Sequence, residues 1–264
     1  MKTKPSNGSG LFFKKDGQRK PKRSAKRTPF YVLLIYIAAQ LSPILAVVPT
    51  YNYFLGQGMD SETAQLATSG WLVVISMMIG FFFIMLLIAR DKKFFDIWKG
   101  KKSSIWAAIG WGFIGFLLLL VGQLIAANIE IAIGIEPGSE NTQNLVTMAE
   151  VVPALLLFVV LIGPILEELV FRRVIFGSLN QTTNFFIATV LSALVFALVH
   201  MEFWHLLMYF TTGLILAFLY QKTKRIITSI IAHVLLNGYV MVLQLNQEKI
   251  MDFLKRLEEL QKLQ

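Results

Sequence analysis

Stretches of about 20 apolar residues, the length a helix needs to cross a hydrocarbon core of roughly 30 Å, recur along nearly the whole chain after Pro29. No other feature restricts the fold as strongly. In lipid every backbone N–H and C=O must find its partner inside the protein, so each stretch reads as helix and not as open strand. The spans lie near 30–55, 68–89, 104–129, 149–170, 184–202, 204–220 and 226–245. They predict an all-α fold, a polytopic transmembrane bundle of about seven or eight helices. With 55% hydrophobic and 16% charged residues among 264, the chain is also too apolar for a soluble domain to cover. No internal repeat shows, and one membrane domain over 29–245 takes up most of the length.

The net charge of +9 is unevenly placed. Residues 1–28 hold ten Lys or Arg against the single Asp16, which leaves fifteen of each sign elsewhere. The excess belongs to one Gly-, Ser-, Pro- and Lys-rich tail, read as a disordered cytoplasmic segment that touches anionic lipid; no nucleic-acid partner is expected. The apolar stretch after it is too long for a signal peptide and offers no small-residue cleavage site, so the tail is expected to stay. Residues 90–102 carry six basic side chains against Asp91 and Asp96. By contrast, 56–67 holds Asp60 and Glu62, and 130–150 holds Glu130, Glu136, Glu140 and Glu150 with no Lys or Arg. Positive loops stay inside. The N-terminus, the 90–102 loop and the Lys222, Lys224, Arg225 turn are therefore expected in the cytoplasm of a cell with this multi-pass protein in its membrane. Residues 246–264 place Ile250, Phe253, Leu254, Leu257 and Leu260 at helical spacing opposite four charges of each sign. This predicts a short amphipathic helix on a membrane face or docked on the bundle.

Cysteine is absent, so chemistry falls to carboxylates, imidazoles, hydroxyls and amides. Ionisable side chains inside apolar helices are expensive and need a reason. Glu168 and Arg172 lie four apart in the favourable order, acid before base, and are expected to pair. Glu167, turned by about 100° from Glu168, is then left to face another helix and take a proton from water. The competing reading is a helix end whose charges snorkel to the interface. His233 and Asn237 share one helix face, where they either stabilise an oxyanion or glue helices together. His200 follows Phe196 at the end of another apolar run, and His205, beside Trp204, reads as interfacial or structural. Glu167, His200 and His233 match a His₂Glu zinc set with an open water position. They equally match a metal-free arrangement in which carboxylate and imidazole activate water. Spacing does not separate the two.

At these residues the sequence resembles the CPBP family of intramembrane proteases, the CAAX-protease and bacteriocin-processing group also called Abi. The family motifs run Glu-Glu-x-x-x-Arg, Phe-x-x-x-His and His-x-x-x-Asn. Glu167, Glu168 and Arg172 fill the first, Phe196 and His200 the second, His233 and Asn237 the third, within about 145–240. The resemblance implies helices enclosing an intramembrane catalytic cavity and peptide-bond hydrolysis near the membrane surface. Its substrate would be a membrane-associated peptide or lipidated protein. Glu167 would be the general base assisted by His200, with His233 and Asn237 on the oxyanion, or Glu167, His200 and His233 would bind Zn²⁺. Glu168 and Arg172 would hold their helix in register. Eukaryotic relatives trim prenylated CAAX proteins; bacterial ones process peptides and bacteriocins or give immunity to them, and this chain looks bacterial. The rival from another class is a non-catalytic immunity or peptide-binding protein using the same cavity. A transporter is weaker, since inverted repeats and paired broken helices are lacking. No motif fixes a substrate or an oligomeric state.

For the three motifs to meet, the helix of Glu167 must run on through Arg172 to about Leu179 and turn near 180–184. The chain must also turn back around 201–205, soon after His200. These conditions predict a cavity about a third of the way across the membrane, open to the cytoplasm.

Overall fold

The structure, a computed structural model, describes residues 27–262. The basic tail therefore lies outside the described residues, apart from Arg27 and Thr28. The described residues form ten helices and no sheet. They are α1 (Thr28–Leu45), α2 (Val47–Gly56), α3 (Ser61–Arg90), α4 (Ile105–Ala132), α5 (Glu140–Val151), α6 (Ala154–Thr182), α7 (Phe185–Leu198), α8 (Leu206–Thr223), α9 (Ile226–Leu245) and α10 (Gln247–Lys262). Five of them, α1, α3, α4, α6 and α9, are long and apolar enough to cross a membrane, and α7 is a shorter apolar helix.

Polar residues at the loop ends start these helices by accepting backbone N–H groups that have no partner inside the helix. Asp60 accepts from Glu62 and Thr63, Ser104 from Ala107, Ser139 from Thr142 and Asn184 from Ile187, all at 3.0–3.1 Å. Small residues then let the helices close up, as packing without a hydrophobic drive requires. A Cβ on Gly115 of α4 would stand 2.4 Å from Leu219 of α8 and 3.0 Å from Ala232 of α9. One on Gly213 would meet the backbone of Ala193 at 2.7 Å, so α7 and α8 touch along their main chains.

The loop 91–104 forms a plate under one end of the bundle. Arg173 of α6 donates to the Phe94 carbonyl, Arg225 donates to that of Ser103, and Lys224 donates to that of Lys99 at 2.7 Å. Trp98 packs edge-on against Tyr220 and beside Phe176, both of which are buried. The opposite end is tied by acids: buried Glu130 near the end of α4 accepts from His205 Nδ1 at 2.8 Å and from the Met208 backbone at 3.2 Å. Helix α10 leaves the bundle with Phe253, Leu254, Leu257 and Leu260 exposed, so it does not dock on the other helices.

Candidate active site

Helix α6 carries the first motif, and its backbone is unusual there. It widens to i→i+5 turns at Phe158–Ile162, just before Gly163 and Pro164, and again over Glu168–Phe176. Proline removes a donor and crowds the preceding turn, and a wide turn absorbs both defects without ending the helix. Such turns recur at functional sites. The helix thus continues to Thr182 and the chain turns at 183–184, close to where the motif geometry placed it.

Glu168 and Arg172 pair as their spacing predicts, at 3.3 Å, with side chains 0% and 1% exposed. The charges do not snorkel. The guanidinium also sits 4.3 Å above the Phe196 ring, where the negative face of the π-system favours a cation. Glu168 turns its other oxygen to His233 Nδ1 at 3.0 Å. Because a carboxylate only accepts, Nδ1 carries the proton and the imidazole is fixed with Nε2 toward Glu167 Oε2, 3.7 Å away. Glu167 is the accessible member of the pair, its side chain 21% exposed.

His200 donates from Nδ1 to the Phe196 carbonyl at 2.7 Å, which leaves Nε2 with its lone pair in the neutral ring. Its ring stacks on Tyr209 at 4.1 Å. Asn237 commits one N–H to the Val159 carbonyl at 3.0 Å, on the first wide turn of α6. Glu167, His200, His233 and Asn237 all line one cavity of about 360 Å³. Glu168 and Arg172 stand behind it. The structure therefore gathers every residue of the three motifs, with His233 the imidazole set against Glu167 and His200 sharing the cavity wall.

One expectation needs correction. The cavity does not open toward the basic loops: none of residues 90–104, 173–184 or 218–229 lines it. Its wall includes Ser139, Asn141, Glu202, His205 and Gln244, at the opposite end. The plate of aromatic side chains beneath α6 and α8 is the physical reason. His205 is a buried partner of Glu130, the structural of its two expected readings. Spacing also missed Glu202, which accepts from Ser139 Oγ and the Tyr209 hydroxyl, both at 2.8 Å, and from the Asn141 N–H at 3.4 Å. Glu130 had a signal, an acid inside an apolar run, but read as part of an acidic loop. Glu202 had none, since its partners lie 61 and more residues away or on the next helix.

The donor set bears on zinc. Among the described residues no three His, Cys, Asp or Glu side chains come together so as to hold a metal ion. Glu167, His200 and His233 share the cavity without forming a ligand triangle, and His233 Nδ1 is already committed to Glu168.

Comparison with known proteins agrees with this arrangement of motifs. The family model described as type II CAAX prenyl endopeptidase, Rce1-like, matches residues 149–239, from before α6 into α9. The chain is 37% identical over 217 residues to the candidate membrane peptidase YdiL of Bacillus subtilis, covering 82% of this chain and 88% of that one. It is 34% identical over 222 residues to the membrane-embedded CAAX protease MroQ of Staphylococcus aureus, covering 81% and 87%. No solved structure matches. With its three motifs converging on one cavity and similarity running through most of its length, the chain belongs to the Rce1-like type II CAAX prenyl endopeptidase family of membrane proteases.

Proposed function

We propose that this protein hydrolyses a peptide bond of a membrane-associated peptide or protein inside this cavity, with water activated by Glu167. The observation that carries the reading is the aligned pair Glu167–His233: an accessible carboxylate faces an imidazole whose far nitrogen is locked by a buried, Arg-paired Glu168. A carboxylate backing an imidazole fixes its tautomer and orientation. In the proposed sequence a water gives a proton to Glu167 and its oxygen adds to the substrate carbonyl carbon. His233 Nε2, to which Glu167 hands that proton until the intermediate collapses, and the second N–H of Asn237 donate to the oxyanion that forms. The intermediate collapses, the C–N bond breaks, and Glu167 returns the proton to the leaving amine. His200, with Nε2 free to accept, orients the water. We take α1, α3, α4, α6, α7, α8 and α9 as seven crossings, with the N-terminus in the cytoplasm of a bacterial cell.

Glu167→Gln keeps the shape of the side chain and removes the base. We expect hydrolysis of a peptide library, followed by mass spectrometry, to fall by about 10²–10⁴-fold while peptide binding persists. Unchanged turnover would remove Glu167 from the chemistry. A cellular phenotype kept by wild type and Glu167→Gln alike would favour the non-catalytic peptide-binding protein. Since the described side chains do not form a ligand set for zinc, the same assay with a chelator is expected to retain its rate, and a loss as large as that of Glu167→Gln would overturn the metal-free mechanism.

A further inference from the structure

The three histidines of the chain are held in different ways. His205 and His233 each give Nδ1–H to a buried carboxylate, that of Glu130 at 2.8 Å and that of Glu168 at 3.0 Å. His200 has a neutral acceptor instead, the Phe196 carbonyl at 2.7 Å, and a hydrogen bond to an ionised acceptor is roughly twice as strong as one to a neutral group. His200 also stands beyond Leu198, the last residue of α7, on a turn where its backbone N–H reaches the Ala197 carbonyl at 3.3 Å. Neither a regular helix nor a carboxylate fixes this ring, so a base placed here needs a third group to orient it. Helix α8 supplies one. The Tyr209 ring lies against the imidazole with centroids 4.1 Å apart and planes 27° from parallel, and Phe196 packs on the same imidazole at 4.7 Å. The phenol is anchored in turn: its hydroxyl donates to Glu202 at 2.8 Å and accepts from Asn141 Nδ2 at 3.4 Å. Glu202 also accepts from Ser139 Oγ at 2.8 Å and from the Asn141 backbone N–H at 3.4 Å, at the start of α5. All three groups on Glu202 are donors, an arrangement that a carboxylate accepts in full. None of Ser139, Asn141, Glu202 and Tyr209 belongs to the three motifs, yet the chain of contacts they form ends on a motif histidine.

We propose that Tyr209 is a positioning residue for His200: its ring, pinned by Glu202 through the hydroxyl, keeps the imidazole in one plane and in the Nδ1–H tautomer, with Nε2 left to accept from water. Tyr209 acts through His200 and forms no bond to the reacting atoms. A misplacement of about 1 Å at a group that orients a reactant can cost about 10²-fold in rate. Loss of the support therefore belongs in kcat, whereas peptide held by the rest of the cavity wall keeps its affinity. The effect on turnover rests on the protease reading; the hold on the imidazole does not.

With three histidines in the chain, the imidazoles can be read one by one by nitrogen NMR of the full-length protein, labelled with ¹⁵N-histidine, in detergent micelles. A pH of about 8 keeps an ordinary imidazole neutral, and His200→Gln identifies the His200 signals by their loss. In wild type His200 should show a single tautomer with the proton on Nδ1. Tyr209→Leu removes ring and hydroxyl, and should move the His200 signals toward the exchanging mixture of tautomers of a free imidazole. Tyr209→Phe keeps the ring and frees it, and should move them part of the way. The signals of His205 and His233, each locked to a carboxylate, should hold. His200 signals equal to wild type in Tyr209→Leu would overturn the proposal, and Tyr209→Phe decides in the same way should Tyr209→Leu fail to fold. Kinetics with the peptide most readily cut from the library give the second readout. We expect kcat to fall about tenfold or more in Tyr209→Leu and about threefold in Tyr209→Phe, with KM within about twofold of wild type. An unchanged kcat in Tyr209→Leu, or a loss confined to KM, would overturn the positioning role. A wild type that cuts no peptide removes the protease reading, and the nitrogen signals still decide this proposal.

Discussion

At the scale of single residues, Arg172 carries the greatest electrostatic demand. Its side chain is 1% exposed, held by Glu168 at 3.3 Å and by the Phe196 ring. Removing one member of a buried pair leaves the other charge uncompensated, so Arg172→Ala should cost about 3–5 kcal/mol. Thermal unfolding in detergent would check this, and a melting temperature equal to wild type would mean the charge is solvated. Lysine should rescue poorly, because a compact ammonium cannot both pair and stack as the planar guanidinium does. His205→Ala is a second case. Its neighbourhood in the chain suggests tolerance, yet the structure makes it the partner of buried Glu130. We expect lost stability comparable to other broken buried pairs, about 3 kcal/mol, with the turnover of the surviving folded protein changed far less than by Glu167→Gln. Activity lost at full stability would instead put His205 in the chemistry. The motif residues were legible because ionisable groups in apolar helices stand out. Glu202 was not, since its role depends on Ser139 and Asn141, 63 and 61 residues distant.

Among the elements, the loop between α7 and α8 holds the clearest sign of strain. Met201 has φ +56°, left-handed backbone that a side chain disfavours, and its side chain is 73% exposed. It sits between His200 on the cavity wall and Glu202, which grips the start of α5. Glycine there should relieve about 1 kcal/mol at little cost in packing, and the resulting rise in melting temperature is readily measured. A fall would mean the methionine makes contacts in the membrane that outweigh the strain. Spans such as 226–245 coincide with their helices, Ile226–Leu245 in that case. By contrast, 30–55 is broken between Leu45 and Val47, 68–89 begins already at Ser61 and 149–170 runs on to Thr182, so that about seven or eight expected helices become ten among the described residues. Helix α5 escaped notice because Glu140–Val151 is too polar to register as a span, and Val152 and Pro153 separate it from α6. The wide turns of α6 are equally silent in composition. Pro164 warns of a defect there, but only packing against α9, through Asn237 and Val159, shows how the defect is used.

For the molecule as a whole, the order of the helices fixes which motifs share an end, and the order of the apolar spans is legible from hydropathy alone. The direction in which the cavity opens was beyond such reasoning, because hydropathy ranks segments and does not reveal that the loop 91–104 folds under the bundle. Labelling tests of the topology must respect that plate. Phe176 is fully buried against Trp98 and Tyr220, so Phe176→Cys should stay unreactive from either side, whereas Thr183→Cys is exposed and should react from one. The plate also has an electrical meaning. Phe94, Phe171, Phe176 and Tyr220 are each no more than 1% exposed, and none of them lines the cavity. The cavity takes no lining residue from the basic end, so a bilayer carrying this protein should remain tight to ions and hold a proton gradient across it.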